Sequence, residues 1–167
     1  MAGDFSFDVV SKFDRQELVN AIDQATRELH TRYDLKNSGS SIDLEGDTIR
    51  LASASEMSLE AVRDLLLQRA VKRGLSPKVF DYGKVEEASK GTVRQRIALR
   101  QGLNQDLARE IAKIVRDKLP KLKGQIQGDA VRVSGKNKDD LQAAIKTLRA
   151  EEEARNWPVP LQFINYR

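Results

Sequence analysis

The sequence predicts an α+β protein made of two tandem copies of one βαββαβ unit, each a four-stranded antiparallel sheet with two helices on one face. Three observations lead there. The hydrophobic period switches repeatedly between the strand and helix repeats. The order of switches in residues 1–83 recurs in residues 84–167. The chain, at 167 residues, has room for two domains of about 80 residues each and not for a third.

Each element has its own signal. Phe5 to Val10 reads as a strand. Asp14, with Glu17 three residues on, is a capping-box-like start for a helix whose Leu18, Ile22, Ala25 and Leu29 recur at helical spacing. Ser41 to Glu45 and Thr48 to Ala52 are strands joined at Gly46-Asp47, a hairpin turn that glycine's tolerance of positive φ makes easy. A second helix from about Ser58 carries Leu59, Val62 and Leu66 on one face and ends at Lys72-Arg73-Gly74; Pro77 breaks it before a short strand, Val79 to Tyr82. After a polar stretch, Gly83 to Gly91, come a strand (Thr92 to Gln101) and a helix capped by Asn104 with Leu107, Ile111 and Ile114 on one side. Strands around Gly128-Asp129, a helix capped by Asn137 and a strand from Leu161 to Tyr166 complete the second copy.

A shift of 82 superposes Gly46-Asp47 on Gly128-Asp129, Ile49-Arg50-Leu51 on Val131-Arg132-Val133, and Leu59, Val62 and Leu66 on Leu141, Ala144 and Leu148. The first helices match at a shift of 89, the seven-residue difference being a longer loop, Tyr33 to Gly39. This is the ferredoxin-like order, and it sets sequence boundaries at 1–86 and 87–167, with the terminal strands free to exchange between domains.

Composition narrows the function classes. With no Cys, disulfides, thiolate metal sites and cysteine nucleophiles are excluded, in keeping with a reducing cytoplasm. No apolar run approaches the roughly 18 residues of a spanning helix, and Met1 to Val10 lacks a signal-peptide pattern, so no membrane association is expected. The net charge of +4 is unevenly spread: residues 1–83 carry 11 basic and 14 acidic side chains, residues 84–167 carry 18 and 11. A one-sided basic field favours anionic partners such as phosphates.

The candidate binding residues follow from that field. In Thr92 to Gln101 the alternation turns Val93, Ile97 and Leu99 to the core and Arg94, Arg96 and Arg100 to the open face, where guanidinium forks suit phosphates or stacking on a base. Arg132, expected on a neighbouring strand and exposed, extends that surface with Gln125 and Gln127, whose amides can read a base edge. Arg96 and Arg100 form an R-x-x-x-R, but on a strand they stand about 13 Å apart and no companion motif accompanies them. Gly135-Lys136 before the Asn137 cap resembles the end of a phosphate loop; the glycine required five residues earlier is Ala130, so only a single phosphate at Lys136 is expected there. Arg109, Lys113 and Arg116 make a basic stripe on the third helix, continued by Lys118, Lys121 and Lys123, a track for a nucleic-acid backbone. The third strands lack the aromatics of ordinary ribonucleoprotein domains. The single histidine, His30, ends a helix, the acidic runs Asp139-Asp140 and Glu151-Glu152-Glu153 suit a helix start and a solvated tail, and no general acid, base and nucleophile assemble, so no catalysis and no cofactor or metal are expected.

Several segments also carry a family resemblance. Ser6-Phe7-Asp8-Val9-Val10-Ser11, Arg32-Tyr33-Asp34-Leu35-Lys36-Asn37, Gln125-Ile126-Gln127-Gly128-Asp129 with Val131-Arg132-Val133, Gly135-Lys136 with Asp139-Asp140-Leu141-Gln142, and the ending Gln162-Phe163 with Asn165-Tyr166-Arg167 occur in order and resemble the bacterial YajQ family. The resemblance implies tandem ribonucleoprotein-like domains in a cytoplasmic nucleotide-binding protein, with cyclic di-GMP or RNA as the expected ligand and no catalytic motif to transfer. The alternative expectation is a protein-protein interaction module using the groove between the domains.

Overall fold

The computed structural model describes residues 4–167. In chain order the elements are β1 (Phe5–Val10), α1 (Arg15–Thr31), β2 (Ser41–Glu45), β3 (Thr48–Ser53), α2 (Glu56–Lys72), β4 (Phe80–Tyr82), β5 (Glu86–Glu87), β6 (Val93–Leu99), α3 (Gln105–Lys118), β7 (Lys123–Gln127), β8 (Ala130–Gly135), α4 (Lys138–Arg155) and β9 (Gln162–Ile164). The helix starts follow the expected chemistry. Asp14 accepts from the Glu17 amide at 3.2 Å, Asn104 from Leu107 at 2.8 Å and Asn137 from Asp139 at 2.8 Å. In α2 Ser58 is consumed as the third helical residue of a capping box with Ser55, which is why that helix begins two residues before the expected Ser58. A 3-10 turn at Pro77–Val79 takes the place of the first residue expected in β4.

The strands form two antiparallel sheets, ordered β7-β8-β1-β9 and β2-β3-β6-β4, with β5 also paired to β6. The chain therefore does not divide at residue 86. One compact unit comprises the segment ending at Lys12 together with Gln101–Arg167, and the other is Phe13–Arg100. We call them the split unit and the inserted unit. The first strand of each half has changed places: β1 pairs with β8 and β9, and β6 with β3 and β4. The last strand, β9, stays with its own half. The points where the chain leaves and re-enters the split unit are tied together, since the Gly102 amide donates to the Ser11 carbonyl at 2.6 Å. The end of β6 is held in the inserted unit by Leu99 N–H to the Asp47 carbonyl (2.9 Å) and Arg100 N–H to the Val79 carbonyl (2.8 Å).

Both units are ferredoxin-like. The split unit reads β1-α3-β7-β8-α4-β9; the inserted unit has the same sheet order with its inner strand, β6, arriving last, a circular permutation of the same architecture. Each buries its own core. In the split unit Phe7, Val9, Ile111, Val131, Val133 and Leu148 are fully buried, and Trp157 with Val159, Leu161 and Phe163 seals the end that leads into β9. In the inserted unit Leu18, Ile49, Leu59, Val62 and Ile97 are buried in a core of its own. Each such side chain contributes about 1.5–3 kcal/mol of hydrophobic stabilisation. Gln95, on the core face of β6, is buried but satisfied: it accepts from Arg63 at 3.1 Å and donates to the Gly83 carbonyl at 2.7 Å. Among the described residues no helix is long and apolar enough to cross a membrane.

Candidate functional site

The expected arginine surface is divided between the two sheets. On β6 the alternation holds, with Arg94 and Arg96 exposed and Val93, Ile97 and Leu99 buried. Carboxylates stand among these arginines. Arg94 meets Glu86 at 3.3 Å and Arg100 meets Asp81 at 3.1 Å. Arg96 lies directly opposite Arg50 of β3, whose guanidinium turns to Glu45 at 3.2 Å. Arg132 is not on a strand paired with β6: it is on β8 of the split unit, where β1 takes the place beside β8.

There Arg132 has a different task. Its register neighbours are Gln125 of β7 and Asp8 of β1. Its guanidinium donates to both Asp8 carboxylate oxygens, at 2.9 and 3.4 Å, and the Asn165 amide donates to the second oxygen at 2.9 Å. Asp8 is only 7% exposed, so this pair is half-buried and Arg132 is not the free open-face arginine that its strand position suggested. The hydrogen bond from Arg132 holds the Asp8 carboxyl below the usual carboxylate range, burial opposing it, with Asn165 adding to the lowering. An Asp inside the apolar run Phe7-Asp8-Val9 was the sequence signal for such a partner.

A dense cationic surface lies at the edge of the same unit, between α3 and β7. Gly124 lets the helix approach closely: a Cβ there would sit 3.4 Å from the Val115 Cβ and 3.6 Å from the Ala112 Cα. The result is an open groove of about 650 Å³ walled by Arg109, Lys113, Arg116 and Lys123, with Ala112, Leu122 and Ile126 as apolar floor. Lys123 also borders a second cavity of about 540 Å³ with Lys121 and Lys136, whose lining includes the acids Asp4 and Asp140. Among the described residues Arg109 and Arg116 pair with exposed carboxylates of their own helix, Asp106 at 3.9 Å and Asp117 at 3.4 Å. Lys118, expected in the same stripe, is instead bound to Glu151, which also takes Arg155 at 2.6 Å; hydrogen bonds from Lys118, then Arg155, hold the Glu151 carboxyl low. This network ties α3 to α4 and removes Lys118 from the stripe.

Gln125 and Gln127 are exposed on β7, the edge strand that borders the groove, where alternation turns them to the sheet face opposite Gly124 and Ile126. Lys136 is exposed, while the Asp139 amide in the first turn of α4 donates to the Asn137 side chain, so the helix end is capped from within. The charge contrast also changes with the true units: the inserted unit carries 15 basic and 14 acidic residues, the split unit 14 and 11. What sets the split unit apart is local density, since residues 109–136 hold eight basic and three acidic side chains.

The model of the family described as "Nucleotide-binding protein YajQ-like" matches residues 5–167. This chain belongs to that family. It is 54% identical over 167 residues, all of both chains, to a protein of Trichodesmium erythraeum named "Nucleotide-binding protein". Proteins of the same name from Trichormus variabilis and Chloroflexus aggregans are 52% and 53% identical, again over the full length of both chains. The YajQ resemblance read from the ordered motifs thus extends across both units. Since the match covers β1 and β9 alike, the family is defined on the complete split unit together with the insertion.

Proposed function

We propose that this member of the YajQ-like family is a non-catalytic nucleotide-binding protein of the cytoplasm that holds single-stranded RNA along the basic edge of its split unit. The observation that carries the reading is the continuity of that edge: the α3–β7 groove and the cavity beside it share Lys123, Leu122 and Pro120, so Arg109, Lys113 and Arg116 lead through Lys123 to Lys121 and Lys136. An open, extended line of point charges suits a phosphate backbone, which supplies most of the affinity of such interfaces. Gln125 and Gln127, on the other face of the same edge strand, supply amides for base edges that wrap around it, and the apolar floor with Ile126 supports a ring face. Arg94 and Arg100 of the inserted unit are paired with Glu86 and Asp81, and the β6 face is not part of this track.

A compact ligand such as cyclic di-GMP is the second form of the nucleotide reading. Calorimetric titration of the parent and of a Lys113→Glu/Lys123→Glu double variant, with a short RNA and with cyclic di-GMP, tests both. The proposal expects RNA to saturate the parent and to lose at least about tenfold in affinity on charge reversal. Saturation by cyclic di-GMP alone, unaffected by the reversal, would replace the RNA track with a compact site. Binding of neither, with a protein partner retained at high salt, would favour the interaction-module alternative.

A further inference from the structure

A second, smaller site lies on the helix-covered side of the split unit, where the start of β1, the first turns of α4 and the segment after β9 meet. Its cavity of about 330 Å³ is lined by Phe5, Lys138, Leu141, Gln142, Tyr166 and Arg167, with Ser6 completing the wall. That volume is at the lower end of small-ligand pockets. None of these residues lines the basic groove or its neighbouring cavity.

The walls are set by the fold. Ser6 and Arg167 exchange both backbone hydrogen bonds, Ser6 N–H to the Arg167 carbonyl at 3.2 Å and the reverse at 3.0 Å, which fixes the last residues beside β1. Tyr166 is braced against Phe7 with ring centroids 6.1 Å apart, yet 60% of it remains exposed. Lys138 stands over the Phe5 ring, 5.2 Å from its centroid. Gln142, one helical turn further along α4, is exposed and has no hydrogen-bond partner among the described residues.

Two aromatic rings, one free amide and two cations around a cavity of this size match one chemistry: a planar heteroaromatic ring that carries an anionic group. From this constellation we propose that the pocket binds a single nucleoside monophosphate, its base against Phe5 and Tyr166, its edge read by Gln142 and its phosphate held by Lys138 and Arg167. The site is independent of the RNA track and rests on that reading only for the class of ligand. It offers the aromatic contacts that the third strands of both units lack.

The test is an amide-resolved NMR titration of the whole protein with AMP and with UMP. The expected result is saturable shifts at Ser6, Lys138, Gln142 and Arg167 at nucleotide concentrations at or below about 1 mM, weakened about tenfold by Tyr166→Ala and retained by Tyr166→Phe. Because Tyr166→Ala removes a contact with Phe7, Gln142→Trp serves as a second variant: it fills the cavity from an exposed helical position and must also abolish the shifts. The Lys113→Glu/Lys123→Glu protein must still bind AMP with parent affinity. Absence of saturation up to about 5 mM, shifts confined to Lys113 and Lys123, or unchanged affinity in Gln142→Trp would overturn the pocket and leave the RNA track standing. Loss of RNA binding with AMP binding intact would do the opposite.

Discussion

Replacing Asp8 by Asn keeps the side chain's shape and removes its charge, so it isolates the ion pair at the centre of the split unit. The carboxylate accepts three hydrogen bonds in the parent, two from Arg132 and one from Asn165. In Asp8→Asn an amide NH₂ replaces one of the two acceptor oxygens, so one of these donors faces a donor. Hydrogen bonds to a charged group contribute about 1.5–3 kcal/mol, and the 34% exposure of the Arg132 side chain lets water recover part of the loss. The expected net destabilisation is about 2 kcal/mol. For a cooperative unit of about 80 residues that lowers the melting temperature by about 8–16 °C at neutral pH. The pH dependence fixes the cause. Asp8's folded pKa lies below its unfolded value of about 3.9, so its contribution is fully present above that value and is lost as pH falls through the folded one. Thermal melts followed by far-UV circular dichroism should therefore show the full gap between parent and Asp8→Asn at neutral pH, and a shrinking gap below about pH 4. A gap that is absent, or that stays constant into acid, would refute the assignment of stability to this ion pair.

Gly83→Ala should destabilise the inserted unit by about 1–3 kcal/mol in urea titration, because its Cβ would lie 2.7 Å from the Arg96 carbonyl oxygen, a backbone atom already fixed by the Gly83 amide at 2.8 Å. Arg96→Ala removes an exposed side chain whose cross-strand neighbour is another arginine. It should leave the urea midpoint within about 0.5 kcal/mol of the parent and lower RNA affinity less than about twofold, whereas Lys123→Ala should lower it several-fold. Equal losses from the two variants would return the β6 face to the site.

The helices and hairpins were legible because each carries a local device: a capping side chain, a stripe at helical spacing, or a glycine at positive φ such as Gly46 and Gly128. The partner of β1 was not. The first strand of each half presents the same alternation to the same position in a sheet, so periodicity alone cannot say which sheet receives it; long-range backbone contacts such as Gly102 to Ser11 decide it. That exchange put Arg94, Arg96 and Arg100 on a different sheet from Arg132. It also turned much of the apparent charge contrast between halves into a consequence of where the chain was cut. β5 was invisible because Glu86-Glu87 has no apolar pattern and pairs only at the edge of β6. The basic stripe on α3 was readable as a helical repeat. Its groove was not, since it depends on Gly124 admitting the helix and on Glu151 withdrawing Lys118.

The central claim, a phosphate track on the edge of the split unit, is tested most directly by the salt dependence of RNA affinity in the parent and in Lys113→Ala/Lys123→Ala. Single-stranded nucleic acid releases counterions with a slope of about −0.7 in log K against log salt for each phosphate contacted. A track engaging three to six cations predicts a parent slope between about −2 and −4, and loss of two contacts should make it shallower by about 1.4. A steep parent slope that flattens by this amount in the double variant is the predicted result; the same slope and affinity in both proteins would contradict it.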